Sequence, residues 1–337
     1  MGAIPALNTS SNRGTVSRAR PPSPSSEGSG NRRAMPKEET AALRASDLSS
    51  RAVTTMLLQA VASGVALGLI YAGVGAGFSL ILSTGRLTNL AHGEFVLVGG
   101  YILFVLCHGI GWPWPAALAA AALGGALLGG TLPPLVRRLP RREVDGLAFT
   151  LGMAFILQNL LLLGATATYR VIPGGYWLQT IALGPVVLSR VTLVAAGAAA
   201  AALVGLDLWL RVSWTGSGLR AVSQSRPAAA SLGISPARME RVAFLVGGAT
   251  AAAAGGLVLL TRFLTPGEGA AWTLVALAVA FLGGRPEAGA LMAAGVGLGV
   301  AESLATVLVG GAWREVVAGG AVLLWLLVRG RTLLADA

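Results

Sequence analysis

The sequence predicts an all-α polytopic membrane protein with about eight to nine transmembrane helices. Of its 337 residues, 54% are hydrophobic and only 12% charged, against roughly 25% charged in an ordinary soluble domain. Mean hydropathy is +0.72. From Val53 onward apolar runs follow one another, many near the ~20 residues that cross a bilayer as a helix. They lack the polar face that a soluble bundle helix keeps toward water.

Spans are expected at 56–84, 91–110, 114–136, 146–165, 190–211, 239–262, 271–284, 287–308 and 313–329. The first is long enough to tilt or break. The seventh is short for a full crossing, which leaves a re-entrant segment or burial within the bundle open. The transmembrane domain is expected over 53–337, and residues 1–52 differ from it. The run 9-TSSNRGTVSRARPPSPSSEGSGNRR-33 cannot bury enough apolar surface to offset its ordering entropy, so a disordered tail is expected there. Met56 opens MLLQAVASGVALGLIYAG, which reads as a protein start in its own right. The tail is therefore a candidate mis-called extension.

The net charge of +11 would suggest nucleic acid in a soluble protein. Here the arginines stand between apolar runs and act as topology markers. They concentrate at 137-RRLPRR-142, between Arg211 and Arg241, and at 329-RGR-331. Even numbers of expected spans separate these sites, so all three lie on the cytoplasmic side. Three spans precede Arg137, which places residue 55 outside and the stretch around His92 near the cytoplasmic start of the second span; the basic tail argues the other way, and a re-entrant stretch around His92 would change the parity. The main external loop, 166–190, carries Tyr169, Tyr176 and Trp177, suited to a membrane–water interface.

Several chemistries are excluded by inventory. Lys37 is the only lysine and no Gly-rich phosphate loop surrounds it, so a P-loop is absent. One cysteine, Cys107, and two histidines, His92 and His108, do not readily supply a zinc site. No metal and no other cofactor is expected. Proton-coupled carriers usually need ionisable residues in mid-membrane, and past residue 53 such candidates are few: Glu94, Asp207 and Glu302. Asp207 stands four residues before Arg211, the spacing of a local helix ion pair.

Three features remain. Gly64 and Gly68, and likewise Gly73 and Gly77, are four apart, a spacing that lets helix backbones approach closely in lipid. The stretch 88-TNLAHGEFVLVGGY-101 places Asn89, His92 and Glu94 in an apolar setting, where polar groups cost free energy unless satisfied. Asn89 as a helix cap with Glu94 on the helix dipole, or a role lining or gating a path, are both open readings. The cytoplasmic segment 213–237 reads as a short helix with Pro227 in its first turn and Gly233 at its C-terminal cap. Ser235 caps the helix that follows. Ala228, Ala229, Ala230 and Leu232 form a small apolar face on the short helix, fit for docking.

These segments resemble the permeases of branched-chain amino acid ABC transporters, of the LivH type. The phrase Asn89, Ala91, His92, Gly93, Glu94, Phe95 is close to one that the family carries after a small-residue first helix. Arg220, Ala221, Ala228, Ala229, Gly233 and Ile234 fill the places of its cytoplasmic coupling segment, and Gly283, Gly284, Gly289, Gly299 and Glu302 those of its closing section. Two departures stand out: Arg285 and Pro286 directly follow Gly284, and Pro227 replaces an acidic residue. The resemblance implies a permease subunit of an ABC importer, not an enzyme, in the bacterial inner membrane. It implies a second related permease, two ATP-binding cassette subunits docked on the coupling segments, an external substrate-binding protein and surrounding lipid, with no nucleic acid. Asn89, His92, Glu94 and Glu302 become candidates for the substrate path or its gate. Branched-chain or other small amino acids are the expected substrates, with urea, short amides or sugars as alternatives. The reading from another class is a self-sufficient secondary transporter or channel.

Overall fold

The computed structural model describes residues 37–85, 88–139, 143–165, 179–284 and 286–335. Tyr169, Tyr176, Trp177 and most of the Ser/Arg/Pro-rich tail lie outside the described residues. The chain divides into two units, Met1–Leu48 and Ser49–Ala337, and the second holds the membrane bundle.

Eight helices among the described residues are long and apolar enough to cross a membrane. They are α1 (Lys37–Gly85, with Ala52–Gly85 its membrane-length part), α2 (His92–Phe104, continued as a π-helix to Ile110), α3 (Trp114–Val136), α4 (Glu143–Ala165), α5 (Arg190–Val212), α8 (Pro236–Thr261), α9 (Gly269–Gly283, behind a 3-10 turn from Pro266) and α10 (Ala288–Leu308). Between α5 and α8 lie α6 (Trp214–Gln224) and α7 (Arg226–Ser231), and α11 (Arg314–Ala335) occupies the place of the ninth expected span. Part of the stretch expected to lack structure is helix, because α1 begins at Lys37. After Pro36 neither proline nor glycine recurs before Gly64, and alanine, leucine, arginine and glutamate favour helix there. The connection before α5 holds a two-stranded antiparallel ribbon, β1 (Thr180–Leu183) and β2 (Val186–Ser189), paired Thr180 to Ser189 and Leu183 to Val186. The Gln59 amide of α1 closes on its edge, donating to the Val187 carbonyl at 2.7 Å and accepting the Val187 N–H at 2.8 Å.

In lipid there is little hydrophobic drive between helices, so close van der Waals packing must hold them. Gly64 and Gly68 meet Gly299 and Gly295 of α10, backbone to backbone; a methyl on Gly64 would lie 2.7 Å from the Val300 Cα. Gly77 meets the Gly247 carbonyl of α8 in the same way. At 3.6 residues per turn the 64/68 pair and the 73/77 pair stand about 180° apart around α1. The helix is therefore clamped between α10 and α8. Gly73 departs from the expected packing role: the nearest atom to an added methyl is the Ala254 Cβ at 3.5 Å, an ordinary contact. It borders a cavity of about 170 Å³ shared with alanines of α3, α5 and α8.

The depth at which α2 begins differs from expectation. The His92 ring nitrogen Nε2 lies 3.0 Å from the Val74 carbonyl. Val74 precedes the end of α1 by eleven residues, or about 16 Å at 1.5 Å per residue. The α2 N-terminus thus sits inside the bundle, not at the cytoplasmic surface. Counting charged loops orders the spans but says nothing of where each helix starts. Non-helical backbone at such depth is tolerated only where protein surrounds it, and Asn89 and Ala91 are fully buried.

We expect Gly68→Ala to lower stability by about 1–3 kcal/mol through overpacking. Gly73→Ala should leave it unchanged, or raise it by up to about 1 kcal/mol through helix propensity. Thermal unfolding of the two detergent-purified variants against wild type measures both; equal effects would refute the two-faced packing of α1.

Candidate functional site

Asn89, His92 and Glu94 are buried together, and each is held differently. The Asn89 side chain accepts the Ala91 N–H at 3.1 Å, and its carbonyl accepts the His92 N–H at 3.2 Å. The N-cap position itself is Ala91, with no side-chain cap. Asn89, the expected cap, is therefore a brace on the entry to α2, two residues ahead of the observed N-cap. His92 faces a carbonyl, so Nε2 carries the proton and donates. Phe78 meets its ring edge-on at 5.3 Å and Phe95 lies 6.3 Å away. The His92 Nδ1 is buried with no hydrogen-bond partner among the described residues.

Glu94 stands in the first turn of α2, and its carboxylate lies against Gly269, where a methyl would collide with it. Gly269 opens α9. The N-terminal ends of two helices therefore converge near one buried carboxylate. Its Oε2 has no hydrogen-bond partner among the described residues.

Two threonines absent from the expected site hold this arrangement. The Gly93 N–H donates to the Thr273 hydroxyl oxygen at 2.9 Å. The proton of that hydroxyl faces the Leu90 carbonyl at 3.2 Å and the Gly269 carbonyl at 3.1 Å. From α4, the Thr150 hydroxyl accepts the Leu90 N–H at 3.3 Å. The first turns of α2 and α9 are thus locked together. Their contact leaves no room for a side chain at position 93, where a methyl would strike the Gly269 carbonyl.

Glu302 belongs to a second cluster. The Tyr71 hydroxyl donates to its Oε2 at 2.7 Å. Tyr71 packs edge-on against Trp272 at 5.8 Å. The Trp272 indole N–H donates to Glu268 at 3.3 Å, and the Arg262 guanidinium lies 3.5 Å from the same carboxylate oxygen and 5.0 Å above the indole ring. Arg262, Glu268, Trp272 and Glu302 line a cavity of about 340 Å³. It lies beyond the end of α8 that faces away from the arginine-rich loops. The four expected path residues therefore fall in two places joined through α9.

The segment 213–237 is built from local caps. The Ser213 hydroxyl accepts the Gly216 N–H at 2.9 Å to start α6, Ser225 accepts from Ala228 at 3.3 Å to start α7, and Ser235 accepts from Arg238 at 3.4 Å to start α8. Helix α7 ends with Gly233 at φ +80°; the Ile234 N–H donates to the Ala229 carbonyl and the Gly233 N–H to the Ala230 carbonyl, both at 3.0 Å. This paired arrangement closes a helix through a left-handed glycine. Ala228, Ala230 and Leu232 face outward, Leu232 with 79% exposure, but Ala229 is buried, so it anchors α7 and is not part of the displayed face. Arg220 turns back to the Arg211 carbonyl at 3.4 Å and the Ser217 hydroxyl at 3.3 Å. Ala221 and Ile234 are half-buried. Asp207 and Arg211 form the expected pair at 3.0 Å.

Glu240, at the start of α8, gathers this face. Its Oε2 meets Arg137 from the end of α3 at 3.1 Å and Arg226 from α7 at 3.2 Å. Arg226 also donates to the Gly85 carbonyl, the last of α1, at 3.1 Å.

The model of the family described as branched-chain amino acid transport system / permease component matches residues 60–327. The chain belongs to this family. The high-affinity branched-chain amino acid transport system permease protein LivH of Salmonella typhimurium is 28% identical over 296 residues, covering 80% of this chain and 93% of LivH. BraD of Pseudomonas aeruginosa, named for the same kind of transport system, is 26% identical over 287 residues, covering 81% and 94%. A probable branched-chain amino acid transport permease LivH of Methanocaldococcus jannaschii is 24% identical over 242 residues, covering 68% and 75%. No solved structure matches the chain significantly. Family membership and eight membrane-length helices make this a multi-pass membrane protein of the LivH type.

Removing the Thr273 hydroxyl strands a buried N–H at Gly93, so Thr273→Val should cost about 1–3 kcal/mol, whereas Thr273→Ser should stay near wild type. Thermal melts of both purified variants decide; a Val variant as stable as Ser would contradict the lock.

Proposed function

We propose that this chain is a translocating subunit of an ABC importer for branched-chain or other small amino acids, seated in the bacterial inner membrane. A second related permease completes the pore, two ATP-binding cassette subunits supply the energy, and an external binding protein delivers the substrate. The observation that carries this reading is α7. It is a six-residue helix, capped at both ends, that presents Ala228, Ala230 and Leu232 on the arginine-rich face. A rigid apolar knob of this kind suits a groove on an ATPase subunit. The absence of a phosphate-binding loop in the sequence fits a partner that carries out hydrolysis.

The polar contacts behind α7 supply a transmission route. A displacement of α7 moves Arg226, which holds the last carbonyl of α1 and the Glu240 carboxylate. Glu240 also holds Arg137. The ends of α1, α3 and α8 therefore move with α7. The end of α1 leads within a few residues into the buried brace at Asn89 and the first turn of α2. Binding of the ATPase dimer to one arrangement more tightly than to the other would shift the populations of outward- and inward-open states.

Two variants test this in proteoliposomes holding the assembled importer. Gly233→Pro breaks the cap of α7, and Glu240→Gln weakens the grip on both arginines. Each is expected to lower binding-protein-dependent uptake by about tenfold, within the usual range of coupling between sites, while ATP hydrolysis continues. Ala229→Asp, which buries a charge beneath α7, should act the same way while the protein still reaches the membrane. Normal uptake with normal stimulation of hydrolysis in all three would refute α7 as the coupling element.

A further inference from the structure

The cavity beside Glu302 has a wall too specific for a packing defect. Its volume, about 340 Å³, exceeds that of a small amino acid. A larger space of about 760 Å³ adjoins it, shares Arg262, Glu268 and Glu302, and reaches Met56, Gln59 and Ser63 at the outer part of α1. One cation, Arg262, and three carboxylates, Glu268, Glu302 and Glu315, contribute to the inner wall, and Trp272, Leu274, Val275 and Ala318 make an apolar side.

We propose that this cavity is a passage site for an α-amino acid zwitterion, with Arg262 facing the carboxylate, Glu302 the ammonium and the Trp272–Val275 side the aliphatic chain. The inference rests on the importer reading above and adds to it a place and an order of contacts.

Three observations set the chemistry. The guanidinium is held in register by the Glu268 carboxylate and the face of Trp272, and its five N–H donors exceed what one carboxylate uses. The Tyr71 hydroxyl fixes one oxygen of Glu302 and so the direction of that carboxylate, which is 4% exposed. The polar wall is made of charged side chains of both signs, which suits a ligand that carries both an ammonium and a carboxylate. Three carboxylates against one guanidinium leave a formal charge of −2 (1 − 3) when all are ionised. The ammonium is therefore the stronger anchor, and losing it should harm binding more than losing the carboxylate.

The test uses the intact importer complex in nanodiscs without its binding protein. Radiolabelled L-leucine is the probe, and leucinamide and 4-methylpentanoate are the competitors. The expected result is saturable binding displaced by leucinamide but not by 4-methylpentanoate. Affinity should fall at least about tenfold in Glu302→Gln, as expected for loss of a charge-assisted contact. That variant keeps an oxygen for Tyr71, and Glu315→Gln at the exposed rim serves as a second variant that spares the interior. Its expected effect is a smaller loss in the same direction. Uptake with the binding protein present is measured in parallel. Importer-dependent leucine uptake by the wild type, combined with no leucine binding, displacement by 4-methylpentanoate but not leucinamide, or unchanged affinity in both variants, would overturn the site and leave the importer reading standing. Absence of any amino acid uptake by the complete wild-type importer would overturn both.

Discussion

The hydrogen bond from the Gly93 amide to the Thr273 hydroxyl is the contact on which the interior depends. A helix that begins inside a membrane bundle exposes its first amide groups where no water is at hand. Each such group must find a partner within the protein. Here α2 solves the problem with an asparagine brace before it, a threonine from α4 beneath it and a threonine from α9 against its first turn. Glycine at 93 is required because the α9 backbone occupies the place of a side chain.

That junction organises the functional groups on either side of it. Glu94 lies against the start of α9 on one flank. On another, Glu268 and Trp272, from the same stretch, connect to Arg262, Tyr71 and Glu302. A shift of α9 relative to α2 changes the setting of both carboxylates together. On the arginine-rich face, Glu240 and Arg226 tie α7 to the end of α1, a short distance in sequence before the same junction. The cavity beside Glu302 and α7 thus connect to one junction.

Some of this was legible in the sequence and some was not, for a consistent reason. The spans follow from apolar length, and the arrangement around α7 from local chemistry: Gly233 and Ser235 stand where the α7 cap and the α8 start need them, and these contacts involve only near neighbours in sequence. The phrase around His92 marked a stretch whose polar side chains the fold buries. Its depth was hidden, since it depends on pairing His92 with Val74 of another helix. Gly73 shares the spacing of its neighbours, yet what it faces is set by how α3, α5 and α8 surround α1. Thr150 and Thr273 gave no signal either. A threonine in an apolar helix commonly bonds its own preceding turn, and the long-range bonds of these two appear only in the assembled bundle. Ala229 lay within a run of three alanines, and only the fold distinguishes the buried one from its exposed neighbours.

The central claim is that α2 begins deep inside the protein. Cysteine accessibility measures it directly. In a Cys107→Ser background, Ala91→Cys adds a thiol of similar size at a fully buried position, and Gln224→Cys adds one at an exposed position on the cytoplasmic segment. With a membrane-impermeant maleimide applied to the cytoplasmic face of the resting complex, the account predicts rapid labelling at 224 and none at 91. Labelling of position 91 as fast as position 224 would place the start of α2 at the membrane surface and contradict it.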